Sequence, residues 1–137
     1  MSVSYMTHPL IRHKITLLRK EDTSTNEFRK LVEEIAMLMG YEALSDLETR
    51  DITVKTPIEE SVQPVISGKK LAVVPILRAG LGMVNGICDL IPTVKIAHVG
   101  LYRDEETLEP HTYFEKYPKE VKDAIVMIVD PMLATGG

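Results

Sequence analysis

Apolar residues recur every three or four positions over the first third of the chain, then give way to short, dense apolar runs. Leu10, Ile11, Ile15 and Leu18 fall near one face of a helix. Thr7-His8-Pro9-Leu10 opens it. Thr7 can cap, and proline is tolerated in a first turn because its missing N–H would have had no partner there. Ser24-Thr25-Asn26-Glu27 opens a second helix, with Glu27 at capping-box distance from Ser24. Phe28, Leu31, Val32, Ile35, Leu38 and Met39 follow at 3/4 spacing. Gly40 weakens this helix locally, yet the pattern continues through Leu44 and Leu47. Residues 1–48 therefore read as an N-terminal helical region concerned with packing, including packing against a partner subunit.

The pattern then changes period. Arg50 to Lys55 alternates and is rich in β-branched residues, the signature of a strand. Leu71-Ala72-Val73-Val74-Pro75-Ile76 is a continuous apolar run, as expected of a strand buried on both faces. Gly80 to Leu90 fits a helix and Val94 to Tyr102 a further strand. Tyr113 to Tyr117 fits a short strand beyond a polar flap, and Ile125 to Val129 another buried strand. This order predicts an α/β fold with a parallel sheet, in which ligands gather at the C-terminal ends of the strands. The expected organisation is one domain over 1–137, with a flexible flap at 103–117.

Composition narrows the functional classes. The formal charge of −4 argues against nucleic-acid binding through a global positive field, while leaving a local basic pocket open. Cys88 is the single cysteine, so no internal disulfide can form, and its apolar neighbours predict a packed thiol. No apolar run approaches the roughly 20 residues of a membrane span, and the first twenty residues lack a signal-peptide core. A cytoplasmic protein without membrane contact is expected.

Three strand ends share a chemistry. Arg78 leaves the first, just before Gly80 and Gly82; its planar fork of donors suits phosphate oxygens, although a solvated turn arginine would look the same in sequence. Gly80-Leu81-Gly82-Met83-Val84-Asn85-Gly86 is one residue too long for the usual dinucleotide fingerprint, and Leu77-Arg78-Ala79 stands where a glycine should open the turn. Arg103 leaves the second apolar run, followed by Asp104, Glu105 and Glu106, which suit either a solvated loop or an approach to a metal. His111 suits either substrate contact or surface packing. The third end is Val129-Asp130-Pro131-Met132-Leu133-Ala134-Thr135-Gly136-Gly137. Asp130 can accept hydrogen bonds from sugar hydroxyls or sit near a metal. The small residues after it allow consecutive N–H groups to form a phosphate nest, but the G-K-[ST] ending of a Walker A loop is absent. Together, one carboxylate, one nest and two arginines match a sugar bearing a phosphate at one end and a polyphosphate at the other.

The segments HPLIRHKITLLR, TSTNEFRKLVEEIAM, VVPILRAGLGM, VGLYRDEETLEPHTYFEKYP and VDPMLATGG run from near residue 8 to the end, and over them the chain resembles the uracil phosphoribosyltransferases. VDPMLATGG is similar to that family's form of the 5-phosphoribosyl-1-pyrophosphate (PRPP) motif, in which Asp130-Pro131 replaces the two adjacent acids of many other phosphoribosyltransferases. The resemblance implies a phosphoribosyltransferase-type parallel sheet flanked by helices, with N-terminal helices and a β-flap. It implies conversion of uracil and PRPP to UMP and pyrophosphate, with Mg2+ carried by PRPP rather than held at a protein metal site. Carried over by residue, Arg78 and Arg103 would contact pyrophosphate and Asp130 the ribose hydroxyls. Thr135, Gly136 and Gly137 would begin the 5′-phosphate loop, with Pro131, Met132, Leu133 and Ala134 as its wall. The resemblance also implies a homodimer or higher homo-oligomer and, in some members, activation by GTP.

Family members continue beyond the phosphate loop, and their uracil pocket lies near their C-terminus. The expectation is therefore an incomplete form lacking the C-terminal part, with an unpaired sheet edge, a tendency to aggregate or to need a partner, and doubtful activity by itself. Three functions stand side by side: a pyrimidine-salvage transferase, a non-catalytic PRPP- or nucleotide-binding regulator on the same scaffold, and an inactive dimerising fragment.

Overall fold

The computed structural model describes residues 3–68, 70–104, 106–107 and 109–132. Two helices lead, α1 (Pro9–Leu18) and α2 (Thr25–Ala43). The α1 cap is His8, whose Nδ1 accepts from the Leu10 N–H at 3.2 Å; Thr7 lies one residue too early. The α2 cap is the expected box: Ser24 Oγ accepts from the Glu27 N–H at 3.3 Å, and Glu27 Oε2 accepts from the Ser24 N–H at 3.0 Å. A charge-assisted bond of 2.6 Å from Lys14 to Glu34 ties the two helices together.

A hairpin follows, β1 (Thr49–Lys55) and β2 (Glu60–Ile66), antiparallel and separate from the main sheet. The expected strand at residues 50–55 is present, but it does not join the parallel sheet. Its partner β2 was not among the expected strands, and it carries Pro64, which lacks a ladder donor. Both strands of a two-stranded sheet have a free edge, so a proline there costs no pairing.

The main sheet is built on β3 (Leu71–Leu77). β7 (Ile125–Val129) pairs parallel along one side of β3. The other side carries β4 (Lys95–Ile96) and β5 (His98–Arg103), also parallel. The single strand expected over 94–102 is broken at Ala97, whose N–H still donates to the Val73 carbonyl at 3.0 Å. β6 (Pro110–Lys116) pairs antiparallel with β5, so the sheet is mostly parallel rather than wholly so.

Helix α3 (Leu81–Leu90) packs on β3, and α2 packs on α3. Val32 and Ala36 of α2, Val73 of β3, Met83, Val84 and Ile87 of α3 and Val129 of β7 form one buried cluster. Two glycines set the spacing of these helices. A Cβ at Gly86 would overlap the Glu33 carbonyl, and one at Gly40 would lie 2.7 Å from Ile87 Cδ1. Gly40 is therefore a packing position and not only a weak point. β3 is buried from Leu71 through Pro75, as expected. β7 is not buried on both faces: Ile125, Met127 and Val129 turn toward the core, whereas Val126 and Ile128 are 43% and 69% exposed. Among the described residues β7 pairs with β3 alone. No helix among them is long and apolar enough to cross a membrane.

Candidate active site at the strand ends

β3, β5 and β7 are mutually parallel, so their C-terminal ends share one edge of the sheet. Arg78 leaves the first. Burial falls from Pro75 through half-buried Ile76 and Leu77 to exposed Arg78 and Ala79. The Leu77–Arg78 peptide is cis. The chain then turns back on itself, with the Gly80 N–H donating to the Ile76 carbonyl at 2.8 Å and the Leu81 N–H to the Arg78 carbonyl at 3.2 Å. Gly80 has ordinary helical dihedrals, so its backbone does not require glycine; its surroundings do. A Cβ there would lie 2.5 Å from the Val129 carbonyl oxygen and 2.7 Å from the Ile76 nitrogen. The turn that presents Arg78 is thus wedged against the last residue of β7, next to Asp130.

Asp130 is exposed, and its Oδ1 accepts from the Met132 N–H at 3.2 Å, which orients the carboxylate over the strand end. Pro131 and Met132 are exposed beside it. Leu133, Ala134, Thr135, Gly136 and Gly137, the expected phosphate loop, lie outside the described residues.

Arg103 is the exposed last residue of β5. In ladder register, Pro75 pairs with Val129 and Ile76 with Val99, so Asp130, Ile76 and Val99 share one level. Arg78 stands two residues beyond that level and Arg103 four. At roughly 3.3 Å per residue Arg103 is on the order of 10 Å farther along the strand direction than Asp130. The backbones of the two arginines and of Asp130 therefore stand at different levels along one sheet edge. None of the ion pairs among the described residues involves Arg78, Arg103 or Asp130.

Other candidates resolve differently. Asp104 caps its own turn: its Oδ1 accepts from the Glu106 N–H at 2.9 Å and the Thr107 N–H at 2.8 Å. Those donors hold its carboxyl below the ordinary value, the Thr107 bond first. Glu105 lies outside the described residues. His111 packs on the surface, stacked on Tyr102 with ring centroids 5.5 Å apart. Two of the three fingerprint glycines serve packing. Gly80 fits against β7 and Gly86 against α2, while a methyl at Gly82 would meet only Val32 Cγ1, at 3.4 Å. Cys88 is partly buried at the edge of the core, and desolvation, then Asp89, pushes its thiol up.

Among the described residues no group of three or more His, Cys, Asp or Glu side chains is placed to hold a metal. A cleft of about 390 Å³ lies between α1 and α2 beside Leu17, Thr23 and Lys30 and not at the strand ends. Of its charged side chains, Lys20 pairs with Asp22, Glu27 with Ser24 and Glu34 with Lys14. Sequence reasoning missed the role of Gly80, which depends on a strand fifty residues away, and the ring cluster around Tyr102. The aromatic residues flanking the flap were its only signal.

The uracil phosphoribosyltransferase family model matches residues 5–137. A uracil phosphoribosyltransferase of Streptococcus pneumoniae is 56% identical over 135 residues, covering 98% of this chain and 65% of its relative. One of Streptococcus salivarius is 58% identical over 132 residues, covering 96% and 63%. The solved structure of the AQ2163 protein from Aquifex aeolicus superposes with a TM-score of 0.90 at 40% identity, over 99% of this chain and 65% of that one. The chain thus spans just under two thirds of the length of these relatives.

Proposed function

This chain belongs to the uracil phosphoribosyltransferase family, and from that premise we propose that its strand ends form the PRPP side of a transferase that joins uracil to the phosphoribosyl group with release of pyrophosphate. Asp130 accepts hydrogen bonds from the ribose hydroxyls. Arg78 and Arg103 meet the pyrophosphate oxygens, and Pro131 to Gly137 receive the 5′-phosphate. Mg2+ enters with the polyphosphate, as part of the substrate. As the C1′–O bond breaks, positive charge grows on the sugar and negative charge on the departing pyrophosphate, while a uracil ring nitrogen forms the new bond to C1′. Guanidinium groups already fixed where the negative charge develops lower that barrier without reorganising. Residues 103–117 act as a flap that closes over Arg103, limiting attack by water on PRPP.

The observation that carries this is the shared sheet edge: two exposed arginines and one exposed carboxylate at the ends of three neighbouring parallel strands. Assembly with a second copy is part of the proposal, supported by exposed Tyr5, Tyr41, Ile58 and Val62. The test is uracil-dependent release of pyrophosphate from Mg2+-PRPP. Release by the wild-type chain that is lost in Asp130→Asn supports the transferase. PRPP binding without uracil-dependent release reduces the proposal to a binding module.

A further inference from the structure

The flap hairpin carries three aromatic rings next to Arg103, and the proposed transfer reaction does not use them. Tyr102 pairs directly across the hairpin with His111, and their rings stack at 5.5 Å with an interplanar angle of 29°. The Tyr113 ring lies 6.4 Å from that of Tyr102, tilted by 50°. Two backbone features create this arrangement. The register shifts between Gly100 and Leu101: Gly100 pairs with Phe114 and Leu101 with Thr112, so Tyr113 is the extra residue of a bulge. Bulges re-aim side chains and increase local twist. Gly100 then leaves the space that the bulged ring fills, since a Cβ there would lie 2.5 Å from Tyr113 Cζ. Below the cluster, the Asp104 N–H donates to the Glu109 carbonyl at 3.0 Å, closing the tip of the hairpin on the other side of Arg103.

Arg103 therefore stands between a closed tip and a stacked cross-strand pair. Its own partner across the hairpin is Pro110, in a pair that exchanges no ladder hydrogen bond whatever residue stands there. The rings of the adjacent level add a side-chain constraint on the strand end. Successive strand residues point to opposite faces, so Tyr102 can be clamped on one face while the Arg103 side chain is directed to the other. We propose that the His111–Tyr102 stack, seated through Tyr113 on Gly100, is a positioning device for Arg103, fixing the β5 end so that the guanidinium is presented to the pyrophosphate of PRPP. This rests on the function proposed above and adds to it which residues set the aim of Arg103.

A cross-strand aromatic pair is a weak constraint, corresponding to roughly a two- to fivefold change in affinity when removed. The experiment is a calorimetric titration of Mg2+-PRPP into the 137-residue chain and its variants, each first shown to be folded by far-UV circular dichroism. Expected results are a two- to fivefold loss in His111→Ala and recovery to near wild-type affinity in His111→Phe, which keeps the stack and removes the ring nitrogens. Gly100→Ala, which evicts the Tyr113 ring while leaving every aromatic residue in place, should show a similar loss. In an Arg103→Ala background, His111→Ala should add nothing. Equal affinity of His111→Ala and wild type overturns the positioning role, as does the same loss with and without Arg103. A His111→Phe variant as weak as His111→Ala overturns it too, because the imidazole would then act directly on the ligand. No binding by the wild type, or binding indifferent to Arg103→Ala, sinks the underlying site assignment itself, a distinct failure.

Discussion

Replacing Gly80 by alanine should destabilise the protein although the backbone there is helical and alanine is ordinarily the better helix residue. The new methyl would lie 2.5 Å from the Val129 carbonyl oxygen, 2.7 Å from the Ile76 nitrogen and 2.8 Å from the Ile76 carbonyl oxygen. All three are backbone atoms of paired strands, so no side-chain rotation relieves the overlap, and β3 or β7 must shift. Overpacking of this kind costs about 1–3 kcal/mol. For a chain of this size a loss of about 2 kcal/mol lowers Tm by roughly 6–10 °C. Gly82→Ala is the matched control. Its nearest contact would be Val32 Cγ1 at 3.4 Å, an ordinary distance, and alanine in a helix gains at most about 1 kcal/mol over glycine. Thermal and urea unfolding followed by circular dichroism should therefore separate two glycines that look alike in the sequence, Gly80→Ala falling and Gly82→Ala holding or rising. A Gly80→Ala protein that melts at or above the wild type would refute the wedge between β3 and β7 and the account of how the Arg78 turn is seated beside Asp130.

Ser24→Ala should lose about 1 kcal/mol, read as a lower urea midpoint with an unchanged slope, because it removes the acceptor for the Glu27 N–H. The Ser24 hydroxyl and backbone N–H also hold the Glu27 carboxyl below its ordinary value of 4.5. Its contribution to stability is thus present above that value and lost as pH falls through the lower folded value, so the stability gap between wild type and Glu27→Gln should close on acidification. A gap that widens toward acid would contradict the capping box. Cys88, with its thiol pushed up by desolvation and then by Asp89, should react slowly with an alkylating reagent at neutral pH and quickly once the chain is unfolded; equal rates would show that it does not pack against the core.

The elements that the sequence made legible are those whose signals are local. The Ser24–Glu27 box, the 3/4 spacing of Leu31, Val32 and Ile35, and the apolar run of β3 all appear where the pattern put them. The same holds for Arg78, Arg103 and Asp130, because a polar residue ending an apolar run marks a strand end whatever surrounds it. What stayed hidden depends on partners distant in sequence. β2 was not anticipated; it carries Pro64, which is harmless there because the hairpin has a free edge. Gly40 and Gly86 looked like weak points or a fingerprint until α2 and α3 were brought into contact through them. β7 reads as apolar on both faces, yet only the face of Ile125, Met127 and Val129 is turned to the core among the described residues. The bulge at Tyr113 leaves no mark in composition, since its signal is the space over Gly100.

The central claim is that the carboxylate and arginines at the sheet edge bind one ligand, and calorimetric titration of Mg2+-PRPP into the wild-type chain, Asp130→Asn and Arg78→Ala tests it most directly. Charge-assisted hydrogen bonds of about 1.5–3 kcal/mol predict saturable binding by the wild type, weakened roughly tenfold or more in either variant with the fold intact. Absence of binding by the wild type, or binding of equal strength in all three proteins, would contradict it.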